Sequence, residues 1–232
     1  MTQRAYSREN FLLRDAGRPL APVRDAKIVL QKLDELLASK RAKPYRGTLR
    51  RLRGELRRER KKLLGELQFE PAKNRIGELL NQAKGRVARW HLPRDTWSIL
   101  RPGLRRIYRR GRKALKPARS SRSDRPLHET RKQVKYLEAA LEMLVPAKAP
   151  RVDKLAKSAD AIAKRLGDDH DIAVLEGVLR RKRADRALLA ELAPIRRKLQ
   201  KKALKRARRL YRRKPKAFVA HVGGARAHRI ER

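Results

Sequence analysis

Residues 127–144 read LHETRKQVKYLEAALEML, and this stretch indicates the fold class of the chain. Its apolar side chains Val134, Leu137, Leu141 and Leu144 recur at spacings of three and four residues. That period places them on one face of an α-helix, where they can pack into a core. The stretch therefore predicts an amphipathic helix.

The opposite face of this predicted helix is cationic. Positions three, four and seven residues apart fall on one side of a helix, because each residue turns the helix by about 100°. His128, Arg131, Lys132 and Lys135 occupy such positions. An imidazole and three cations are therefore presented together within two turns.

The same helical period recurs along the whole chain. Apolar residues repeat every three or four positions in 26–37, 49–67, 152–166 and 188–210, whereas no convincing run of alternating strand residues occurs. Prolines and glycines stand between these stretches, where helices are expected to end. The sequence predicts an all-α helical bundle.

The two halves of the chain resemble each other. LAPVRDAKIV (20–29) aligns at a shift of 146 positions with LGDDHDIAVL (166–175), and a very basic helix follows each of them. We therefore expect two pseudo-symmetric, duplicated four-helix-type halves around a basic groove or pore. The predicted boundaries are 1–115 for the N-terminal half, 116–126 for a loop-like linker, 127–218 for the C-terminal half and 219–232 for a flexible tail.

Composition indicates the kind of partner. Of the 232 residues, 66 are Lys or Arg and 24 are Asp or Glu, which gives a net charge of +42. Hydrophobic residues make up 40%, too many for a disordered basic tail. A globular protein with this surplus of positive charge is expected to bind a polyanion.

Other classes are disfavoured by what the sequence lacks. Without cysteine there is no disulfide, thiolate zinc site or cysteine nucleophile. No uncharged run approaches the ~18 residues of a membrane span. We expect a soluble cytoplasmic protein that binds no membrane, and the oligomeric state stays open.

Three basic stretches are the candidate anion-binding elements. Residues 196–214 contain twelve bases in nineteen positions, and residues 101–116 contain no acid at all. Solvated helix faces usually mix signs, because like charges at i,i+4 repel. A bound phosphate would relieve that repulsion, since arginine binds its oxygens bidentately and lysine supplies a point charge. The third stretch is the basic helix over 46–67. The candidates on the three stretches are Arg50, Arg53, Arg57, Arg105, Arg109, Arg112, Lys201, Lys205 and Arg208.

His170 lies among carboxylates in GDDHD (167–171), which leaves two interpretations. A metal site is one of them. We favour the other, a loop that enters a helix, with acids as caps and partners of the helix dipole. Asp25 and Asp171 hold equivalent positions in the two halves and are the predicted capping residues. No metal and no cofactor is expected.

Several motifs, in order along the chain, resemble the CHAD domain, the conserved histidine α-helical domain. They are YSREN (6–10), LRDA (13–16), VRDA (23–26), GLRRIYRRGR (103–112), the helix 128–144, RLGDDHDIAVL (165–175) and RLYRRKPKAF (209–218). The resemblance implies two pseudo-symmetric four-helix units around a basic groove or pore that binds inorganic polyphosphate. It also implies that His128 is the signature histidine, with Arg131, Lys132 and Lys135 as phosphate contacts on the same helix. By the same resemblance, Arg105, Arg109 and Arg112 lie on the basic helix before it.

The resemblance also implies a His/Arg/Lys helix at the start of the first half, and the sequence contains none. Either that helix was lost, or the start was assigned too far downstream, which is the interpretation we favour.

Two functions compete. The leading hypothesis is non-catalytic binding of inorganic polyphosphate in the cytoplasm, with association with polyphosphate granules left open. The alternative is a basic helical protein that binds nucleic acid, but binders of single strands usually stack bases on aromatic residues, which make up only 4% here. An enzyme is not expected, because the sequence contains no P-loop, no Glu-x-x-His pair and no Glu-x-Glu-x-Lys strand.

Overall fold

A computed structural model describes residues 3–67, 69–90, 96–144 and 150–227. The predicted all-α fold is confirmed, since these residues form helices joined by short turns and include no strand. The described residues divide into two compact units, one within 1–94 and 178–188 and the other within 95–177 and 189–232. The predicted duplication and groove stay predictions.

The first unit is built from four α-helices and two short 3-10 turns. The helices are α1 (Gln3–Ala16), α2 (Ala21–Ala38), α3 (Arg46–Glu66) and α4 (Phe69–Ala88), and the 3-10 turns are Arg18–Leu20 and Lys40–Tyr45.

The second unit contains α5 (Thr96–Ser121), α6 (Asp124–Glu142), α9 (Leu192–Leu210) and α10 (Pro215–Ala227). The long α7 (Pro150–Arg181) begins in this unit and ends in the first, and the short α8 (Arg186–Ala190) follows it.

An ion pair joins α1 to α4 in the first unit. Arg86 donates from Nε and one Nη to the two carboxylate oxygens of Glu9, at 2.7 and 2.8 Å. Glu9 is only 4% exposed. The hydrogen bond from Arg86 is the main reason that the pKa of Glu9 falls from 4.5 to about 2. Ionised Glu9 therefore stabilises the folded chain, and this contribution is lost as the pH falls from 4.5 through about 2.

The core of the second unit is continuous across its long helices. Leu137 and Leu141 of α6 and Ile162 and Leu166 of α7 are at most 2% exposed. The hydroxyl of Thr130 donates to the carbonyl of α5 residue Ala114 at 3.0 Å. The apolar stripe predicted from residues 127–144 is thus the one that packs α6 against its neighbours.

Tyr108 holds α5 against the end of α9 and the start of α10. Its ring stacks on Phe218 with the centroids 3.8 Å apart and an interplanar angle of 11°. Its hydroxyl lies 3.0 Å from the carbonyl oxygen of Leu210 and 3.3 Å from that of Arg213. Tyr108 is fully buried, and burial raises its pKa to about 12. A β-carbon at Gly111 would overlap the Tyr211 side chain, so this close approach requires glycine.

The predicted loop over 116–126 is wrong. Helix α5 continues to Ser121 and α6 begins at Asp124. Leu115 and Ala118 extend the buried stripe of α5 past Pro117, and their burial outweighs the local preference for a turn. As a result α5 packs with α6 in the second unit, although the sequence suggested a boundary at residue 115.

The predicted tail over 219–232 is also partly wrong. Residues 219–227 continue α10, and Val219 and Val222 are buried against the core of the second unit. Residues 228–232 lie outside the described part of the chain.

We expect Glu9→Gln to lower the free energy of unfolding near pH 7. The variant should then lose less stability than the parent chain between pH 4.5 and pH 2, because it lacks the carboxylate whose pKa is lowered. Urea denaturation across this pH range measures the effect. Asp15→Asn, in an exposed ion pair of the same region, is the control and should follow the parent profile. An unchanged slope in Glu9→Gln would contradict the role given to Glu9.

We expect Tyr108→Phe to destabilise the chain by about 1 kcal/mol, because two carbonyl oxygens lose a buried donor while the ring stack is kept. Tyr136→Phe is the matched control, since Tyr136 is 51% exposed, and it should have no effect. Thermal unfolding of both variants measures the difference.

Candidate functional site

In the second unit, some helices carry only basic charged residues, whereas others also carry acidic ones. Helices α5 and α9 carry nine Lys or Arg residues each and no Asp or Glu, and α10 also lacks acids. Helices α6 and α7 hold four and six acidic residues respectively. The positive charge of α5, α9 and α10 is therefore not balanced by acids on the same helices.

One concentration of cations lines a cavity of about 900 Å³ between α5 and α10, here called the α5–α10 pocket. Two of its cations, Arg105 and Arg109, were predicted as phosphate contacts. The full cationic lining is Arg101, Arg105, Arg106, Arg109 and Lys216, with no acid beside them among the described lining residues.

A second cavity, of about 560 Å³, lies between α7 and α9 and is here called the α7–α9 pocket. Arg206 donates from Nε to the hydroxyl oxygen of Ser158 at 3.2 Å, and Arg165 donates to the carbonyl of Ala161 at 2.7 Å. The remaining lining residues are Lys202, Lys205 and Arg209, and they contact no hydrogen-bond or ion-pair partner within the described ranges. An anion could therefore bind here without displacing an existing ion pair.

The cationic face of α6 is more balanced than its sequence suggested. Lys132 pairs with Glu129 at 2.6 Å, and Lys135 pairs with Glu138 at 3.1 Å. His128 is exposed in a shallow cavity where Asp124, Arg125, Glu129 and His170 also lie. The acids on α6 thus offset much of the charge that the helix presents.

Two histidines meet at this cavity. The rings of His128 and His170 lie with centroids 5.0 Å apart. Burial, followed by the charges of Arg131 and His128, lowers the pKa of His170, which favours its neutral imidazole. The Arg131 guanidinium packs on α7 at Gly167, and its Nε is buried with no hydrogen-bond partner among the residues described. Arg131 is therefore partly withdrawn from the surface.

The predicted loop at GDDHD (167–171) is wrong. The segment lies inside α7, because Leu166, Ile172 and Leu175 continue the buried stripe across it. Asp171 is consequently not a helix cap. Asp25 is not one either, since it lies beyond the first turn of α2 and pairs with the neighbouring Arg24.

The buried acid of this segment is Asp169, which sequence reasoning missed. Arg196 of α9 forms ion pairs with Asp169, with Glu176 of α7 and with Asp124 of α6. Asp169 also accepts a hydrogen bond from Gln200 at 2.9 Å. Ion pairs to these carboxylates hold the pKa of the Arg196 guanidinium above its usual value despite burial. Arg196 therefore joins three helices and is not available to a ligand.

The other predicted contacts differ in availability. Arg53 is paired with Asp34, and Arg112 donates to the carbonyl of Arg213 at 2.8 Å, so both have structural partners. The exposed residues Arg50 and Arg57 lie on α3 in the first unit, and Lys201 and Arg208 are exposed on α9 outside the lining of the α7–α9 pocket.

Several pocket residues were not among the predicted contacts. Those on α5 and α9 lie in basic stretches that the sequence identified, but the side of each helix that faces a pocket depends on packing. The pocket residues that were not predicted are Arg101, Arg106, Arg165, Lys202, Arg206, Arg209 and Lys216.

The helical fold thus presents two pockets in which cations lie without acidic partners among the described residues, an arrangement that attracts anions. Residues 2–180 match the CHAD domain, and because the match spans more than half of the 232 residues, the chain belongs to the CHAD family. This family is associated with polyphosphate binding. No curated protein and no solved structure matches the chain.

The described residues include neither a membrane-spanning helix nor a cluster of metal ligands. None of their helices has the length and apolarity needed to cross a membrane. No three His, Asp or Glu side chains among them are grouped so that they could hold a metal ion.

We expect the triple variant Lys202→Gln, Lys205→Gln, Arg209→Gln to be more stable than the parent chain in low salt without an added anion. Each like-charge pair at i,i+3 or i,i+4 costs a few tenths of a kcal/mol, so the gain should be roughly 1 kcal/mol. Thermal unfolding measures it. Lys132→Gln with Lys135→Gln is the control, because these lysines already have acidic partners, and it should bring no gain. A loss of stability in the triple variant would mean that the three cations are engaged within the protein.

Proposed function

We propose that this chain binds inorganic polyphosphate without catalysing its reaction, through Arg- and Lys-rich helix faces. The observation that carries the proposal is the pair of acid-free helices α5 and α9, whose exposed cations line two cavities of the second unit. Membership of the CHAD family supports the same ligand class.

The chemistry of the two pockets suits a chain of phosphates. Guanidinium groups bind phosphate oxygens bidentately, and lysine ammonium groups adapt to different phosphate positions. A polymer of identical phosphates offers only charge and spacing to be recognised, and rows of cations are sufficient for both. Binding displaces counterions, so the affinity should fall steeply with salt.

The proposed contacts can be ranked by the exposure of their side chains and by whether acidic residues lie next to them. Arg105, Arg109 and Lys205 are exposed and lie in pocket linings. His128, Lys132 and Lys135 are exposed but have acidic neighbours, and Arg131 is partly buried. We therefore assign the main contacts to α5 and α9 and a secondary role to the α6 face.

Nucleic acid is the competing ligand. Sequence-tolerant binding of single strands relies on aromatic side chains that stack bases. Tyr108 and Phe218 are buried in the core, the α5–α10 pocket has a single aromatic lining residue, Trp97, and the described lining of the α7–α9 pocket includes none. These observations favour polyphosphate. The proposal includes a cytoplasmic location, where polyphosphate granules would supply the ligand.

The triple variant Lys202→Gln, Lys205→Gln, Arg209→Gln should bind long-chain polyphosphate more weakly. The slope of log affinity against log salt should become shallower by about two, because each lost phosphate contact removes about 0.7 from a flexible polyanion. Fluorescence titration over a salt series measures both effects.

The control removes the same charge elsewhere, in Lys27→Gln, Lys43→Gln, Lys73→Gln, all exposed in the first unit. If both triple variants weaken binding equally, net charge and not the α7–α9 pocket governs the affinity.

A competition assay separates the two ligand classes. At about 150 mM salt and equal phosphate, long-chain polyphosphate should displace labelled single-stranded DNA and RNA from the chain, whereas the reverse displacement should be inefficient. A preference for either nucleic acid would overturn the proposal. Chain length of the bound polyphosphate, followed on gels, should stay constant with time, as expected of a binder without turnover.

A further inference from the structure

The α5–α10 pocket differs from the α7–α9 pocket because part of its lining is apolar. Trp97 and Pro102 of α5 and Val219 and Ala220 of α10 share it with the five cations. Its volume of about 900 Å³ lies within the range of small-molecule sites, roughly 300–1,000 Å³. The pocket therefore combines a cationic wall with an apolar wall on the scale of a small ligand.

Trp97 is held in place by close packing on α10. A β-carbon at Gly223 would lie 2.6 Å from Cζ2 of Trp97, so glycine is required for the indole to rest against the helix backbone. At the next position, Gly224, a β-carbon would meet no atom within 4 Å. Gly223 thus allows the indole to pack on the helix, and Gly224 leaves open space in the lining of the same pocket.

A bare phosphate chain makes no use of the apolar wall. Its oxygens gain nothing from contact with an indole or a proline ring, and apolar surface beside phosphate only removes water from it. An aromatic ring, by contrast, stacks favourably on Trp97 and packs on Pro102. The lining therefore fits a ligand that joins an aromatic ring to several phosphates.

We propose that the α5–α10 pocket binds a nucleoside polyphosphate. The base packs against Trp97 and Pro102, and Arg105, Arg109 and Lys216 bind the phosphates. This inference goes beyond the binding of inorganic polyphosphate and does not require it, because it rests on the apolar wall. The α10 side of the pocket also lies outside residues 2–180, the part of the chain that matches the CHAD family.

The test compares ATP with inorganic triphosphate, which carries the same number of phosphates without the nucleoside. The full chain with Trp90→Phe is used, so that Trp97 is the remaining tryptophan. Titrations are run in EDTA buffer near physiological salt and followed by tryptophan fluorescence and calorimetry. We expect ATP to bind about tenfold more tightly than triphosphate and to change the Trp97 emission.

Two variants test whether the base of ATP binds against Trp97. Trp97→Leu keeps an apolar side chain and should weaken ATP binding about tenfold while leaving triphosphate binding unchanged. Gly224→Leu adds a side chain to the pocket lining, at a position where a β-carbon meets no atom within 4 Å, and should abolish the preference for ATP. Circular dichroism checks that both variants stay folded, and Leu80→Ala, an exposed site of the first unit, serves as the neutral control.

The outcomes are distinct. Equal affinity for ATP and triphosphate, or a preference for ATP that survives both variants, overturns the inference. Binding of long-chain polyphosphate, measured on the same samples, reports on the proposed function separately. ATP binding without polyphosphate binding would sustain the inference and overturn the proposed function, and the reverse result would do the opposite.

Discussion

The second unit depends on the buried side chain of Tyr108. Helices α5, α9 and α10 carry no acidic residue, so electrostatic repulsion acts to separate them. Stacking of Tyr108 on Phe218 and the hydrogen bonds from its hydroxyl to the Leu210 and Arg213 carbonyls oppose this repulsion. Burial in a low-dielectric core strengthens these contacts, whereas the surface charges are screened by water and salt.

Acidic residues stabilise the second unit where α9 packs near α6 and α7. Arg196 joins α9 to α6 and α7 through Asp124, Asp169 and Glu176, and the lysines of the α6 face pair with glutamates on their own helix. The cations named here form ion pairs within the protein and stabilise the fold. The cations that line the α5–α10 and α7–α9 pockets lack acidic partners among the described residues. An anion would therefore be stabilised more in these two pockets than at α6.

The sequence predicted the structure correctly where a pattern extends over many residues, as apolar spacing and motif order do. The apolar spacing of residues 127–144 predicted α6 and the all-α class, and the ordered motifs indicated the CHAD family. The prediction was wrong where the local composition is typical of a loop but buried side chains keep the segment helical. Pro117 and the polar run around it suggested a loop, as did Gly167 and its acids, yet Ala118 and Leu166 keep both segments helical because their side chains lie in the core. The stripe of α5 was recognised, but Lys216 was not, since only packing of α10 brings it to that stripe.

The sequence by itself determined the helical class and the family and predicted a negatively charged partner, because periodicity, motif order and net charge are properties of the chain alone. Only the tertiary structure decided which cations are available to a ligand. Arg53, Arg112 and Arg196 look equivalent to Arg105 and Lys205 in the sequence, but the fold places the first three beside carboxylates or carbonyl oxygens and the other two in open pockets. An ion pair or a hydrogen bond depends on distances between helices, and those distances are set by packing of the core.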